Sequence, residues 1–184
     1  MGSVSVLGRF PGGHMYVDES TAKQYLVMCA VIPTGDVNAT RGAMRGLLLP
    51  GQKSLHMKNE KKRAKEILER IVALQPSVLV LACHETVPDL VARERCVQRL
   101  SREACAAGLG RVMLDPIESL RQRDLSWIHQ GARAAGHTTP PFQFGHQQRH
   151  EEPLMWIADA VGWAWQRGGK HRSTVRGLVK VIEV

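Results

Sequence analysis

Several features that assign a protein to a function class at sight are missing from this sequence. No unbroken apolar run approaches the roughly 20 residues that a membrane helix needs. Residues 1–13 lack the apolar core of a secretion signal, so we expect a cytoplasmic protein with no membrane partner. There is also no glycine-rich phosphate loop, dinucleotide fingerprint or Ser–His–Asp order, and the enzyme classes that depend on those motifs gain no support.

Cysteine and aromatic residues are both scarce. The four cysteines are widely spaced and form no C-x-x-C pair, which favours buried free thiols over metal ligands. Aromatic residues make up 5% of the chain, and none is interleaved with its basic clusters. Base stacking is therefore not expected, and a nucleic acid would be bound through its phosphates.

The size and composition of the chain predict one globular domain. The chain has 184 residues, of which 43% are hydrophobic, enough for a single sizeable core. Glycine and proline dominate residues 1–13, which we expect to be a flexible N-terminal lead-in. Residues 14–184 should then form the domain.

The hydrophobic pattern predicts a hairpin followed by alternating strands and helices. Residues 25–32 are apolar on both faces, which is typical of a central strand covered on both sides. This order indicates an α/β fold with a mixed sheet and helices on both faces. The predicted strands are 14–18, 25–32, 54–57, 77–83, 111–115, 142–144 and 175–184, and the predicted helices are 36–49, 59–74, 87–107, 117–135 and 151–166.

Two acidic positions stand out because burial is expected around them. Asp18 closes the first strand, and Asp159 lies in an apolar helix rich in tryptophan. Glu85 and Asp115 follow two other predicted strands. Because ligands of open α/β sheets gather at strand carboxyl ends, several of these carboxylates are candidates for one crevice.

Clustered carboxylates repel one another unless a cation neutralises them. Mg²⁺ or Mn²⁺ would do so through oxygen ligands, and such ions support phosphodiester cleavage. Simpler roles are open for each residue: a hairpin turn for Asp18, a turn or helix cap for Asp115, and a helix charge for Glu85. Asp159 in turn could pair with Arg149 or Arg167.

The charge balance favours an anionic partner. The net charge is +8 and the pI about 9.7, which fits RNA or DNA without identifying either. Without such a partner, a cluster of like charges would simply be a solvent-exposed face of the protein. The basic residues predicted to contact nucleic acid lie in two clusters: Lys58, Lys61, Lys62 and Arg63, and Lys170 and Arg172.

Three short segments together resemble the family called domain of unknown function 3800. They are Tyr16-Val-Asp-Glu-Ser20, Leu55-His56 before a helix, and Ile157-Ala-Asp159 in the late helix. The resemblance covers about residues 14–167 and departs from the family pattern at Thr21, where the family has glycine. It implies a ribonuclease-H-like α/β fold, with a mixed sheet of five to six strands and helices on both faces.

The resemblance also implies a site and an activity. Asp18 matches the first-strand metal ligand and Asp159 the late-helix ligand, while the third ligand is Asp115 or Glu85, with Asp115 preferred. Glu19 and His56 are expected to assist catalysis. The implied function is a metal-dependent nuclease; the alternative is a non-catalytic domain that binds nucleic acid or a partner. If Trp156 and Trp163 form an exposed stripe, a homodimer follows.

Overall fold

The computed structural model describes residues 4–84 and 86–184. Its six strands are β1 (His14–Ser20), β2 (Tyr25–Ile32), β3 (Ser77–Cys83), β4 (Arg111–Leu114), β5 (Gln143–His146) and β6 (Val179–Glu183). Its six α-helices are α1 (Val37–Arg45), α2 (Ala64–Ala73), α3 (Asp89–Ala107), α4 (Arg121–Ala134), α5 (Met155–Arg167) and α6 (Gly169–Val175).

The described strands form one mixed sheet in the order β5–β4–β1–β2–β3–β6. The hairpin β1–β2 and the pair β2–β3 are antiparallel. In contrast, β1, β4 and β5 run parallel, and so do β3 and β6. The carboxyl ends of β1, β4 and β5 therefore meet at one edge. The α/β class and the mixed sheet agree with the sequence prediction; the six strands match the five to six that the resemblance implies, whereas the hydrophobic pattern predicts seven.

Two apolar cores lie on opposite faces of the sheet, because side chains alternate along each strand. Alternate residues of β1 and β2 face α1, α2, α5 and α6 on one side. The intervening residues face α3 and α4 on the other. All eight residues of β2 are buried, as predicted for a central strand.

Helix α5 packs closely on β2 at Gly162. A Cβ built at Gly162 would lie 2.3 Å from Cε of Met28. The absence of a side chain at Gly162 therefore lets the axis of α5 approach the sheet closely at this point. This contact sets the distance between α5 and the strands β1 and β2. Asp159 lies one turn earlier on the same helix.

Several predicted elements differ from the structure; the helices predicted at 36–49 and 151–166, for example, are Val37–Arg45 and Met155–Arg167. Residues 54–57 form a loop and not a strand, because the backbone N–H of Met57 donates to Asp159 instead of to a neighbouring strand. The predicted strand 175–184 is shorter, since α6 and a 3₁₀ turn precede β6.

Part of the predicted lead-in packs against α3. Ser5 is 6% exposed and donates to the Glu103 carboxylate at 2.8 Å. The side chain of Leu7 is buried in the core beneath α3, and the N–H of Phe10 donates to the carbonyl of Ala107. The chain is thus joined to the domain before β1 begins.

Buried thiols and tryptophans complete the comparison. All four cysteines are free, and Cys29, Cys83 and Cys96 are buried, as expected. Trp156 is 1% exposed, so it contributes to the core and the exposed tryptophan stripe that would imply a dimer is not formed. None of the described helices is both long enough and apolar enough to cross a membrane.

Candidate active site

Three parallel strands bring two carboxylates and one arginine to the same edge of the sheet. Asp18 lies near the end of β1, Asp115 follows β4 directly, and Arg149 lies in the loop after β5. Asp18 is 6% exposed and shares the β1 face of Tyr16, which looks toward α5. The predicted convergence of strand-end carboxylates is therefore present for Asp18 and Asp115.

Asp159 approaches the same place from α5. It is 8% exposed, and two groups of the 54–57 loop hold its carboxylate. Nδ1 of His56 lies 3.0 Å from Oδ1, and the N–H of Met57 donates to Oδ2 at 2.8 Å. His56 thus contacts a predicted metal ligand, and its role in catalysis stays a prediction.

Arg149 lies between the carboxylates. Its Nη1 is 3.6 Å from Oδ2 of Asp18 and 3.3 Å from Oδ1 of Asp159. Its backbone N–H donates to Oδ1 of Asp115 at 3.1 Å, and its carbonyl accepts a hydrogen bond from Nε1 of Trp156 at 2.7 Å. One residue therefore contacts all three aspartates, and its backbone is held independently of its guanidinium.

The guanidinium does not neutralise the cluster completely. Burial above all, and then the nearby charges of Asp159 and Asp115, raise the pKa of Asp18 to about 7 despite the lowering effect of Arg149. Three carboxylates around one arginine leave an excess of negative charge in a buried place. Such a place favours additional positive charge.

The donor atoms fit a hard divalent cation, but their present positions suit Arg149. Carboxylate oxygens are the ligands that Mg²⁺ and Mn²⁺ prefer. Within residues 4–84 and 86–184, however, no group of three or more His, Cys, Asp and Glu side chains is spaced to hold a metal ion. The cation between Asp18 and Asp159 is the guanidinium, as in the simpler interpretation of Asp159 as a paired aspartate.

Glu19 points to the other face of the sheet. Its carboxylate accepts hydrogen bonds from Tyr25 and from Arg93 of α3. Arg93 also forms a bidentate pair with Asp124 of α4, with both distances 2.9 Å. His146 contacts Asp124 from β5. Glu19 is expected from the resemblance to assist catalysis, but its carboxylate contacts Tyr25 and Arg93 and not Asp159.

A small cavity lies between these two groups. It measures about 30 Å³ and is lined by Asp18, Glu19, Asp115 and Arg93 together with apolar strand residues. That volume is enough for a water molecule. Polar groups of both sheet faces thus border one water-sized space near the end of β1.

A second ion pair fixes the start of α5. Glu152 is 5% exposed and accepts from Nε and Nη2 of Arg41, each at 3.0 Å. The same carboxylate accepts the N–H of Leu154 at 3.1 Å. Arg41 also lies 3.4 Å from the hydroxyl of Tyr16. These contacts anchor the loop that carries Arg149. No local pattern in the sequence indicates a role for Arg41, because its partner Glu152 lies more than 100 positions away.

The remaining predicted site residues lie around the cluster. Lys58, Lys61 and Lys62 are exposed close to His56 in sequence. Arg63 is engaged with Glu60, Glu66 and the carbonyl of Leu47, so it serves the start of α2. The exposed Lys170 and Arg172 belong to α6. Glu85, the other candidate for the third ligand, lies outside the described residues.

Comparison with known proteins gives a likeness in fold. No protein-family model matches the chain, and no curated protein matches it by sequence. Among solved structures, the chain is similar to a chain of the complex of PCNA with RNase HII from Archaeoglobus fulgidus. The TM-score is 0.54 at 13% sequence identity, covering 90% of this chain and 78% of that one. At this identity the likeness shows the fold alone, an α/β architecture consistent with the ribonuclease-H-like class.

Proposed function

We propose that this protein is a metal-dependent nuclease that cleaves phosphodiester bonds of nucleic acids. The observation that carries the proposal is the convergence of three aspartates on Arg149: Asp18 and Asp159 flank its guanidinium, and Asp115 accepts its backbone N–H. The similarity in fold to the RNase HII complex chain supports the same direction. The resemblance to domain of unknown function 3800 stays a prediction.

The three aspartates would hold the ion. Bound there, Mg²⁺ or Mn²⁺ would activate water and stabilise the leaving oxygen. His56 and the Met57 N–H fix both oxygens of the Asp159 carboxylate, so that carboxylate is already oriented by the protein. Asp18 is held less firmly, through the N–H of Glu19 at 2.9 Å.

Arg149 has a role in both the resting and the working arrangement. Its side chain is 30% exposed, while its backbone is held by Asp115 and Trp156. The guanidinium can therefore turn toward solvent without unfolding the loop. Turned outward, it would remain close enough to the carboxylates to contact a substrate phosphate, for which guanidinium is well suited.

The basic clusters supply the attraction for the substrate. Lys58, Lys61 and Lys62 are exposed in the segment that follows the Asp159 contact of Met57. Exposed lysines next to buried carboxylates draw a phosphate backbone toward a site that would otherwise repel it. This placement supports a polynucleotide substrate over a small phosphate ester.

The proposal is tested by incubating the purified protein with RNA, single-stranded DNA and an RNA–DNA hybrid in Mg²⁺ or Mn²⁺. We expect metal-dependent cleavage of at least one substrate, with a loss of at least about 100-fold in Asp18→Asn and Asp159→Asn. Asp36→Asn, an exposed aspartate at the start of α1, is the matched control. Cleavage that is equal in all four proteins would refute the assignment.

The alternative is a nucleic-acid-binding domain without catalysis. One observation favours it: the position between Asp18 and Asp159 is occupied by an arginine of the chain itself. This alternative predicts salt-sensitive binding without metal dependence. It also predicts no cleavage in Mn²⁺ by either the parent protein or Arg149→Ala, whereas the nuclease proposal predicts metal-dependent cleavage by the parent protein.

A further inference from the structure

A basic groove lies beside α5, away from the carboxylate cluster. It measures about 400 Å³ and is lined by Trp165, Arg172, Arg176, Val179 and Val181. This volume is in the range of small-ligand sites, about 300–1,000 Å³. The floor of the groove is apolar because the side chains of Val179 and Val181 form it. Both residues belong to β6, which is an outermost strand of the sheet.

The tertiary structure places aromatic and basic residues together here, although the linear sequence does not interleave them. Arg172 of α6 lies over the Trp165 ring, with Cζ 4.8 Å from the ring centroid. Its Nε and Nη2 donate to the carbonyl of Trp165 at 2.9 and 2.6 Å. The Trp165–Arg172 pair thus forms one flat, cationic wall. The expectation that no aromatic residue accompanies the basic clusters is therefore wrong for this surface.

The basic residues of this surface are not paired with carboxylates within the described residues 4–84 and 86–184. Residues 160–182 contain no Asp or Glu. In the part of the chain that the structure describes, none of the five lysines and arginines of this segment forms an ion pair with a carboxylate. They are Arg167, Lys170, Arg172, Arg176 and Lys180.

We infer that this groove, defined by Trp165, Arg172, Arg176, Val179 and Val181, binds single-stranded nucleic acid by stacking a base on the Trp165–Arg172 wall. The apolar floor would exclude water from that base, and Arg176 with the neighbouring cations would contact the flanking phosphates. Stacking on an aromatic residue beside a positively charged groove is the general mode of single-strand binding. A duplex keeps its base faces stacked inside and cannot offer one to the wall.

The groove and the carboxylates share the α5 side of the sheet. Trp165 follows Asp159 by six residues on α5, which is about 9 Å along the helix axis. At 3.6 residues per turn the two side chains also point about 120° apart around α5, so a strand that contacts both would have to pass around the helix. The inference rests on the proposed function for the idea that the same polymer is cleaved, but the binding it predicts is measured without cleavage.

The test is binding of a labelled single strand of about 16 nucleotides to the full chain in excess EDTA. We expect Trp165→Ala to weaken binding about 5- to 100-fold and Trp165→Phe to retain most of it. Arg176→Ala should reduce the slope of log affinity against log salt by about one. Arg123→Ala, which removes an exposed charge from α4, is the control and should leave the groove intact.

Circular dichroism of each variant separates loss of binding from loss of fold, and Trp165→Leu, which keeps an apolar side chain without an aromatic face, replaces Trp165→Ala if the alanine variant does not fold. Equal affinity for single strand and duplex would overturn the inference. Competition by polyglutamate as effective as that by the single strand would also overturn it, since the groove would then be a general polyanion site. Unchanged binding in the folded Trp165→Ala or Trp165→Leu variant would do the same. Absence of cleavage with intact Trp165-dependent binding would count against the nuclease only.

Discussion

Nη1 of Arg149 lies 3.3 Å from Oδ1 of Asp159, and the same carboxylate accepts the Met57 N–H through its other oxygen. An arginine from the loop after β5 thus places its charge between two carboxylates, that of Asp18 on β1 and that of Asp159 on α5. This is the place where a cation would bind. This contact has consequences for stability as well as for activity. It makes the electrostatic state of the cluster dependent on one exposed side chain.

Replacing Arg149 should exchange an internal cation for an external one. We expect Arg149→Ala to lower the free energy of unfolding by about 1–2 kcal/mol in EDTA, because the carboxylates of Asp18 and Asp159 lose their partly exposed counter-charge. Saturating Mg²⁺ or Mn²⁺ should restore about 2–3 kcal/mol if the ion is at about 100 times its Kd. Thermal unfolding with and without metal measures both effects. Arg123→Ala is the control; an equal response of the two variants to metal would contradict the prediction.

The stability of the protein should depend on the ionisation of Asp18. Its folded pKa of about 7 lies above the ordinary value of 3.8, so the native state holds an extra proton between those two values. The contribution is therefore stabilising at low pH and is lost as pH rises toward and through 7.

Asp18→Asn should remove that pH dependence. The variant should gain roughly 1–4 kcal/mol over the parent protein at pH 8 compared with pH 4. Denaturant unfolding from pH 4 to 8 measures the difference, with Asp36→Asn as the matched exposed substitution. A constant difference between Asp18→Asn and the parent across this range would show that Asp18 does not titrate there.

The buried pair Arg93–Asp124 should be the most sensitive ion pair of the fold. Burial opposes the ionisation of Asp124, but hydrogen bonds from His146 and Arg93 outweigh it and lower its pKa. Asp124→Asn leaves Arg93 buried with only Glu19 as a partner. We expect a loss of about 3–5 kcal/mol in unfolding free energy.

Glu118→Gln provides the comparison for that experiment. Glu118 pairs with Arg121 at the protein surface, 2.7 Å apart, and surface pairs contribute about 0–1 kcal/mol. Urea unfolding of both variants should separate them clearly. Similar losses would mean that the Arg93 network is not the buried, water-excluded pair that the structure shows.

Two glycines should differ in how well they tolerate alanine. A Cβ at Gly162 meets the flexible end of Met28, at 2.3 Å, whereas one at Gly131 meets the backbone oxygen of Gln98, at 2.4 Å. Met28 can turn aside, but the backbone of α3 cannot. We expect Gly162→Ala to cost about 1–2 kcal/mol and Gly131→Ala about 3 kcal/mol or more.

Relief of the clash provides a check on the first substitution. Combining Gly162→Ala with Met28→Ala removes the contacting atoms, so the two losses should not add. Fully additive losses in denaturant unfolding would mean that α5 does not press on β2 at this point. An equal cost for the two glycine substitutions would contradict the distinction between side chain and backbone.

Local pattern was sufficient to predict most of the fold. The apolar run over β2 and the alternation of strands with amphipathic helices predicted a mixed sheet covered on both faces. This works because the spacing of buried residues along the chain reflects the local geometry of a strand or a helix. Prediction from local pattern failed at residues 54–57. There the backbone N–H of Met57 donates to the side chain of Asp159, which is more than 100 positions away in the sequence. No local signal reports such a contact.

The residue types of this chain, taken alone, determined that Asp18 and Asp159 sit in apolar surroundings, that the thiols are buried and that the molecule is strongly basic. Only the tertiary structure decided that Asp115 joins them, that Glu19 turns to the opposite face to meet Arg93, and that Arg149 lies in their midst. Only folding, too, brought Arg172 over Trp165. The reason is physical: burial and charge belong to individual segments, whereas a cation among carboxylates or an arginine on a ring depends on where separate segments meet.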